Sequence, residues 1–211
     1  MATASEAERS VRSGAGDGAG LKIFLGTWAL LCACLLGALS MGHVVAFPEP
    51  ERDRLAGLLA ALHEFGGDAP GRLAVHVIAS DCSCTESLFR HLVEHGPVDD
   101  TEEVILFVGP EHRGKRAASR AAGYRFVNIA HEELEALGLE SAPVLADFAA
   151  DGRIRYLGGY YDHPSASNPL DLRLRTALDR GERVAPLPIY GCAVSARLRE
   201  AFDPLGLLYE S

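Results

Sequence analysis

Apolar residues along this chain follow three successive patterns. Between Ile23 and Gly42 the run IFLGTWALLCACLLGALSMG is apolar on every side of a helix and carries no charge. A helix needs roughly 20 such residues to cross a ~30 Å hydrocarbon layer. The segment 21–46 is therefore expected to be a transmembrane helix or signal anchor in contact with the lipid bilayer. Its polar groups are Thr27, Ser40, the Trp28 indole and two thiols, all tolerable in lipid. A cleavable signal has an apolar stretch of only about 7–15 residues close behind a basic start. The longer run here, behind the polar residues 1–20, favours an uncleaved anchor, with Val44-Val45-Ala46 as the cleavage site of the alternative. Residues 1–20 (MATASEAERSVRSGAGDGAG) read as a disordered tail.

The second pattern has helical period. Leu55, Leu58, Leu59, Leu62 and Phe65 share one face, predicting an amphipathic helix over about 51–65 within a segment 47–70. Gly66-Gly67-Asp68 and Pro70 end it.

In the third pattern, over 71–182, short apolar β-rich runs alternate with helical ones. Strands are expected at Leu73–Ala79, Val104–Val108, Arg125–Ile129, Val144–Phe148 and Ile154–Leu157. Helices are expected at Thr85–His95, Glu111–Ala122, His131–Leu137 and Asp171–Arg180. Asp151-Gly152 between the last two strands is a strong hairpin signal. Alternation of this kind implies an α/β domain with a mainly parallel sheet and an antiparallel hairpin at its end. A C-terminal extension, 183–211, begins extended and Pro-restricted at VAPLPIY and ends with a short helix near Ala193–Phe202.

Composition adds exclusions. With 48% hydrophobic and 23% charged residues the 211-residue chain is globular in character. A net charge of -9 leaves no basic face for nucleic acid, which is not expected as a partner. Arg9, Arg12 and Lys22 precede the apolar run, whereas Arg52 and Arg54 follow it among acids. That bias places the N-terminus in the cytoplasm and residues 47–211 outside, in the periplasm. No phosphate-binding glycine loop, nucleophile elbow or carboxylate pair stands out, and no cofactor is expected.

Five cysteines carry the candidate chemistry. Cys32 and Cys34 lie in the apolar run, where thiols behave as small hydrophobes. Cys82 and Cys84 sit between a buried strand and the start of a helix. Free N–H groups and the dipole at a helix N-terminus stabilise thiolate, the nucleophilic form. A second cysteine two residues away can resolve a mixed disulfide. Cys192, in Gly191-Cys192-Ala193, is expected to open the last helix, either as a resolving thiol for Cys82 or Cys84 or as a buried hydrophobe.

Ser80-Asp81-Cys82-Ser83-Cys84-Thr85 after LAVHVIA resembles the strand–cysteine–helix element of thioredoxin-like proteins. GLESAPVLADFAADGRIRYLGGY resembles their second half: a proline opening a strand, an Asp-Gly hairpin, then a strand ending in glycines. The resemblance covers residues 70–182, and the layout of anchor plus outer domain is similar to that of TlpA-type thiol–disulfide oxidoreductases. It implies a thioredoxin-like fold, a central mixed sheet flanked by helices. It also implies that Pro143 is a cis-proline shaping the substrate groove, with the Ala142 backbone ready to pair with a client strand. Cys82 would then attack a disulfide and Cys84 resolve it, the partners being an extracytoplasmic client protein and a redox recycling partner. The motif departs from the family's Cys-x-x-Cys: aligning Cys84 leaves Asp81 as the first member, and aligning Cys82 leaves Thr85 as the second.

Two other readings use the same residues. His91 and His95, four apart on one helix face, could join thiolates in a site for copper(I) or zinc, and a copper-binding metallochaperone would use Cys82, Cys84 and either His91 or Cys192. Alternatively the domain is a non-catalytic docking module with structural cysteines. Tyr160-Tyr161-Asp162-His163 could border the active face by fold analogy.

Overall fold

The computed structural model of the chain describes residues 17–41, 46–47, 52–65, 71–80 and 82–203, and not the side chains at 17–18, 38–41, 52–55 or 83–84. It divides into two units, Met1–Met41 and Gly42–Ser211.

Helix α1 (Asp17–Met41) is the described part of the first unit. Ala19–Gly37 is long and apolar enough to cross a membrane, and none of it is buried within the protein. Ile23, Phe24, Trp28 and Leu36 project unprotected from it. The expected tail lies outside the described residues up to 16, whereas 17–20 are helical. Once an apolar helix is nucleated, each further residue adds a hydrogen bond at little entropic cost.

In the second unit a five-stranded sheet runs in the order β3 (Arg125–Ile129), β2 (Thr101–Val108), β1 (Arg72–Ala79), β5 (Val144–Phe148), β6 (Ile154–Gly158). Strand β1 (Arg72–Ala79) pairs in parallel with β2 (Thr101–Val108), from Arg72↔Thr101 to Ala79↔Val108. Strand β3 (Arg125–Ile129) extends the parallel part beside β2. Strand β5 (Val144–Phe148) joins the other edge of β1 antiparallel, and β6 (Ile154–Gly158) follows antiparallel on β5. The β5–β6 hairpin turns at Asp151-Gly152, closed by Ala149 N–H to Arg153 O at 2.9 Å, with Gly152 at φ +78°. A side chain is disfavoured at that left-handed φ, which is why glycine stands there.

Strand β1 is covered on both faces, and that is why it reads as a near-continuous apolar run, broken by His76, rather than an alternating one. Leu73, Val75 and Val77 face one layer of the core, and Ala74 and Ile78 the other. The first layer receives Leu58 and Leu62 from α2 (Arg52–Glu64), Leu134 from α5 (His131–Ala136) and Leu198 from α7 (Ala196–Phe202). The second receives Leu88 and Leu92 from α3 (Ser83–His95), Ala118 from α4 (Arg113–Ala121) and Leu174 and Leu178 from α6 (Asp171–Asp179). This mixed sheet with helices on both faces is a thioredoxin-like fold.

A second, two-stranded sheet was not anticipated. Strand β4 (Ser141–Ala142) pairs antiparallel with β7 (Cys192–Ala193), in the register Ser141↔Ala193 and Ala142↔Cys192. Cys192 therefore does not open the last helix. Ser195 does: its side chain accepts from the Leu198 N–H at 3.2 Å, so α7 begins at Ala196. Serine is the stronger N-cap, and the backbone at 192–193 is already committed to a strand.

Candidate redox site

Strand β1 ends at Ala79, and the chain turns at once into α3. Cys82 is the N-cap residue of that helix, with extended backbone angles (φ -96°, ψ 124°) and no side-chain capping bond. Its carbonyl accepts the Thr85 N–H at 3.0 Å, while Thr85 Oγ1 donates back to Ala79 O at 2.5 Å. Thr85 thus ties the first turn of the helix to the end of the strand. Cys84 stands at the second helical position, and its side chain, like all of Asp81, lies outside the described residues.

Cys82 is buried, 5% exposed, with its sulfur in a disulfide. Ala142 and Cys192 belong to the same contiguous buried cluster as Cys82. The Ala142–Pro143 peptide bond is cis. Cys192 is a thiol, also 5% exposed, directly across the small ladder from Ala142. The structure thus pairs the residue before Pro143 with Cys192, and both share with Cys82 the core layer on one face of the sheet. Cys32 and Cys34 lie on α1, in the other unit.

Glycines let the C-terminal extension approach this region closely. A Cβ on Gly191 would stand 1.9 Å from Ala142 O and 2.5 Å from Pro143 Cδ. A Cβ on Gly159 would stand 2.0 Å from Pro188 O, and the Gly159 N–H donates to Leu187 O at 2.9 Å. The glycines that close β6 thus serve backbone contact with the extension. Further along, Val194 N–H donates to Glu140 O at 2.7 Å and Ala196 N–H to Glu135 Oε2 at 3.1 Å.

The histidine pair is otherwise engaged. His91 Nε2 meets Asp171 Oδ1 at 2.9 Å, and His95 Nδ1 meets the His91 carbonyl at 2.8 Å. Among the described residues no group of three or more His, Cys, Asp or Glu side chains could hold a metal ion. Tyr160 and Tyr161 lie outside the buried cluster that contains Cys82. Both are buried in the opposite layer, where Tyr160 OH lies 2.8 Å from His76 Nδ1.

That opposite layer holds a buried ionic network that the apolar patterns did not announce. His76 Nε2 lies 2.8 Å from Glu103 Oε2, and Arg175 Nη1 lies 2.5 Å from Glu103 Oε1. Arg175 also faces Asp147 at 3.6 Å, and Arg155 pairs with Asp147 at 2.5 Å. Burial opposes the Glu103 charge, but the His76 and Arg175 contacts outweigh it and hold the carboxyl below its ordinary range. Burial pushes the Tyr160 phenol well up. A lone histidine inside LAVHVIA, and a glutamate just ahead of VILFV, were the available signals.

No family model matches the sequence, and no curated protein matches it. Solved structures do. A hypothetical protein from Sinorhizobium meliloti 1021 is 21% identical with a TM-score of 0.50, covering 64% of this chain and 85% of its own. An uncharacterised conserved protein from Geobacillus kaustophilus is 19% identical with a TM-score of 0.45, covering 60% and 77%. A candidate thiol-disulfide oxidoreductase from Bacteroides vulgatus is 16% identical with a TM-score of 0.32, covering 58% and 76%. At 21% identity the likeness to the Sinorhizobium meliloti protein is one of fold.

Proposed function

We propose that this chain is a membrane-anchored thiol–disulfide oxidoreductase whose outer domain exchanges disulfides with extracytoplasmic client proteins through Cys82-Ser83-Cys84. The carrying observation is Cys82 as N-cap of α3, disulfide-bonded and in one buried cluster with Ala142. The helix N-terminus favours thiolate at this position. In the reductive direction the Cys82 thiolate attacks a client disulfide, forming a mixed disulfide and releasing one client thiolate. The Cys84 thiolate then attacks Cys82 Sγ, which releases the second client thiolate and leaves a Cys82–Cys84 disulfide. A dithiol recycling partner supplies the two electrons that restore both thiols. Pro143 shapes the groove, and the Ala142 backbone aligns the client.

The anchor reading rests on α1, whose apolar side chains have no protein cover. Lipid would supply that cover. The positive bias before the span puts the second unit on the periplasmic side.

The test is a thiol count on the full chain in detergent, alkylated after equilibration in graded dithiothreitol buffers and mapped by mass. Two thiols, at Cys82 and Cys84, are expected to appear together as the buffer becomes reducing. A count that stays constant from dithiothreitol to a mild oxidant overturns the reading.

A further inference from the structure

Strand β4 is two residues long, and the one strand paired with it in its sheet is β7. An uncovered strand edge is a template for an extended peptide, with backbone bonds giving affinity and side-chain pockets giving selectivity. Here that template is filled from within the chain. The segment 187–196 is fastened on both sides of its cysteine. Phe47 N–H donates to Ile189 O at 2.9 Å on one side, and the Val194 N–H bond to Glu140 O holds the other. Between them Gly191 lies against Ala142 and Pro143 so closely that no larger residue fits. The next residue is Cys192, buried in the cluster that contains Cys82.

We propose that residues 189–195 (IYGCAVS) are a tethered peptide ligand of the redox site, holding the place of a cysteine-bearing client and presenting Cys192 to Cys82. This rests on the redox reading of Cys82 and Cys84. The Cys192 thiolate attacks Cys82 Sγ, a Cys82–Cys192 bond forms, the Cys82–Cys84 bond breaks, and Cys84 leaves as thiolate. Two electrons stay within the three sulfurs, so no external oxidant or reductant is consumed. The segment also describes the client: an extended strand with glycine immediately before its cysteine, because a Cβ there collides with Ala142 O. A client in this register has to displace β7, so the extension gates access to the buried Cys82.

The test uses the full chain in detergent carrying Cys84→Ser, oxidised with glutathione disulfide, alkylated and mapped by mass. Glutathione first joins Cys82, and Cys192 then expels it, so a Cys82–Cys192 crosslink is expected as the main product. Glutathione retained on Cys82 with Cys192 alkylated overturns the proposal, and this arm needs no disruptive variant. A second arm compares reduced wild type and Gly191→Val in reaction with the glutathione mixed disulfide of the peptide IYGCAVS. Gly191→Val, with β7 dislodged, is expected to react several-fold faster; an equal or slower rate contradicts the gating. Wild type in the same graded buffers separates the two levels. If Cys82 never interconverts between thiol and disulfide, the redox reading itself fails. If it does interconvert but Cys84→Ser gives no crosslink, only the tethered-ligand proposal fails.

Discussion

Cys82 and Glu103 are buried although each carries reactive or charged chemistry. Cys82 is held at a helix N-terminus, where the backbone supplies the positive end of a dipole. Glu103 is 3% exposed and is kept ionised by His76, Arg175 and the Val98 N–H, which donates to Oε1 at 2.5 Å. Removing one member of such a network leaves the others buried without compensation, which costs about 3–5 kcal/mol. Glu103→Gln is therefore expected to lower the unfolding free energy by about 3 kcal/mol near pH 7, read from urea midpoints. The folded-state value lies below the ordinary 4.5, so the carboxylate stabilises fully above that pH and loses its contribution as pH falls through the folded value. The gap between wild type and variant should shrink on acidification. A gap that is unchanged or grows at low pH contradicts this assignment.

At the scale of elements, α2 is part of the folded unit. Leu58 and Leu62 are fully buried against the layer that also contains Cys82, so α2 belongs to the core and is no mere spacer. Leu62→Ala is expected to cost about 2–5 kcal/mol in urea unfolding, the range for a buried leucine leaving a cavity. A cost near zero would show that α2 can detach. This helix was legible from the spacing of Leu58, Leu59 and Leu62, as were β1, β2 and β5 from their apolar runs and the hairpin from Asp151-Gly152. Strands β4 and β7 were not, because two residues are too short to show a period and their pairing joins segments fifty positions apart. Cys192 was placed at a helix start for that reason, since nothing local reveals a partner strand. The ionic network is hidden in the same way: His76 and Glu103 lie 27 positions apart, and Glu103 and Arg175 lie 72 apart.

Across the whole molecule, sequence and structure divide the labour between two units. One contributes a helix suited to a bilayer. The other is a thioredoxin-like fold with a cysteine capping the helix after its central strand and a C-terminal extension paired with β4. The one-residue spacing of Cys82 and Cys84 separates this chain from the ordinary dithiol motif, so reactivity has to be measured rather than inherited from the fold. The most direct measurement is turnover of a disulfide-bonded peptide by the full chain in detergent, with dithiothreitol as electron donor, beside Cys82→Ser and Cys84→Ser. The account predicts turnover by wild type above the dithiothreitol background, none by Cys82→Ser, and slower turnover by Cys84→Ser, in which Cys192 or dithiothreitol has to resolve the mixed disulfide on Cys82. Wild-type rates that survive in Cys82→Ser would contradict it.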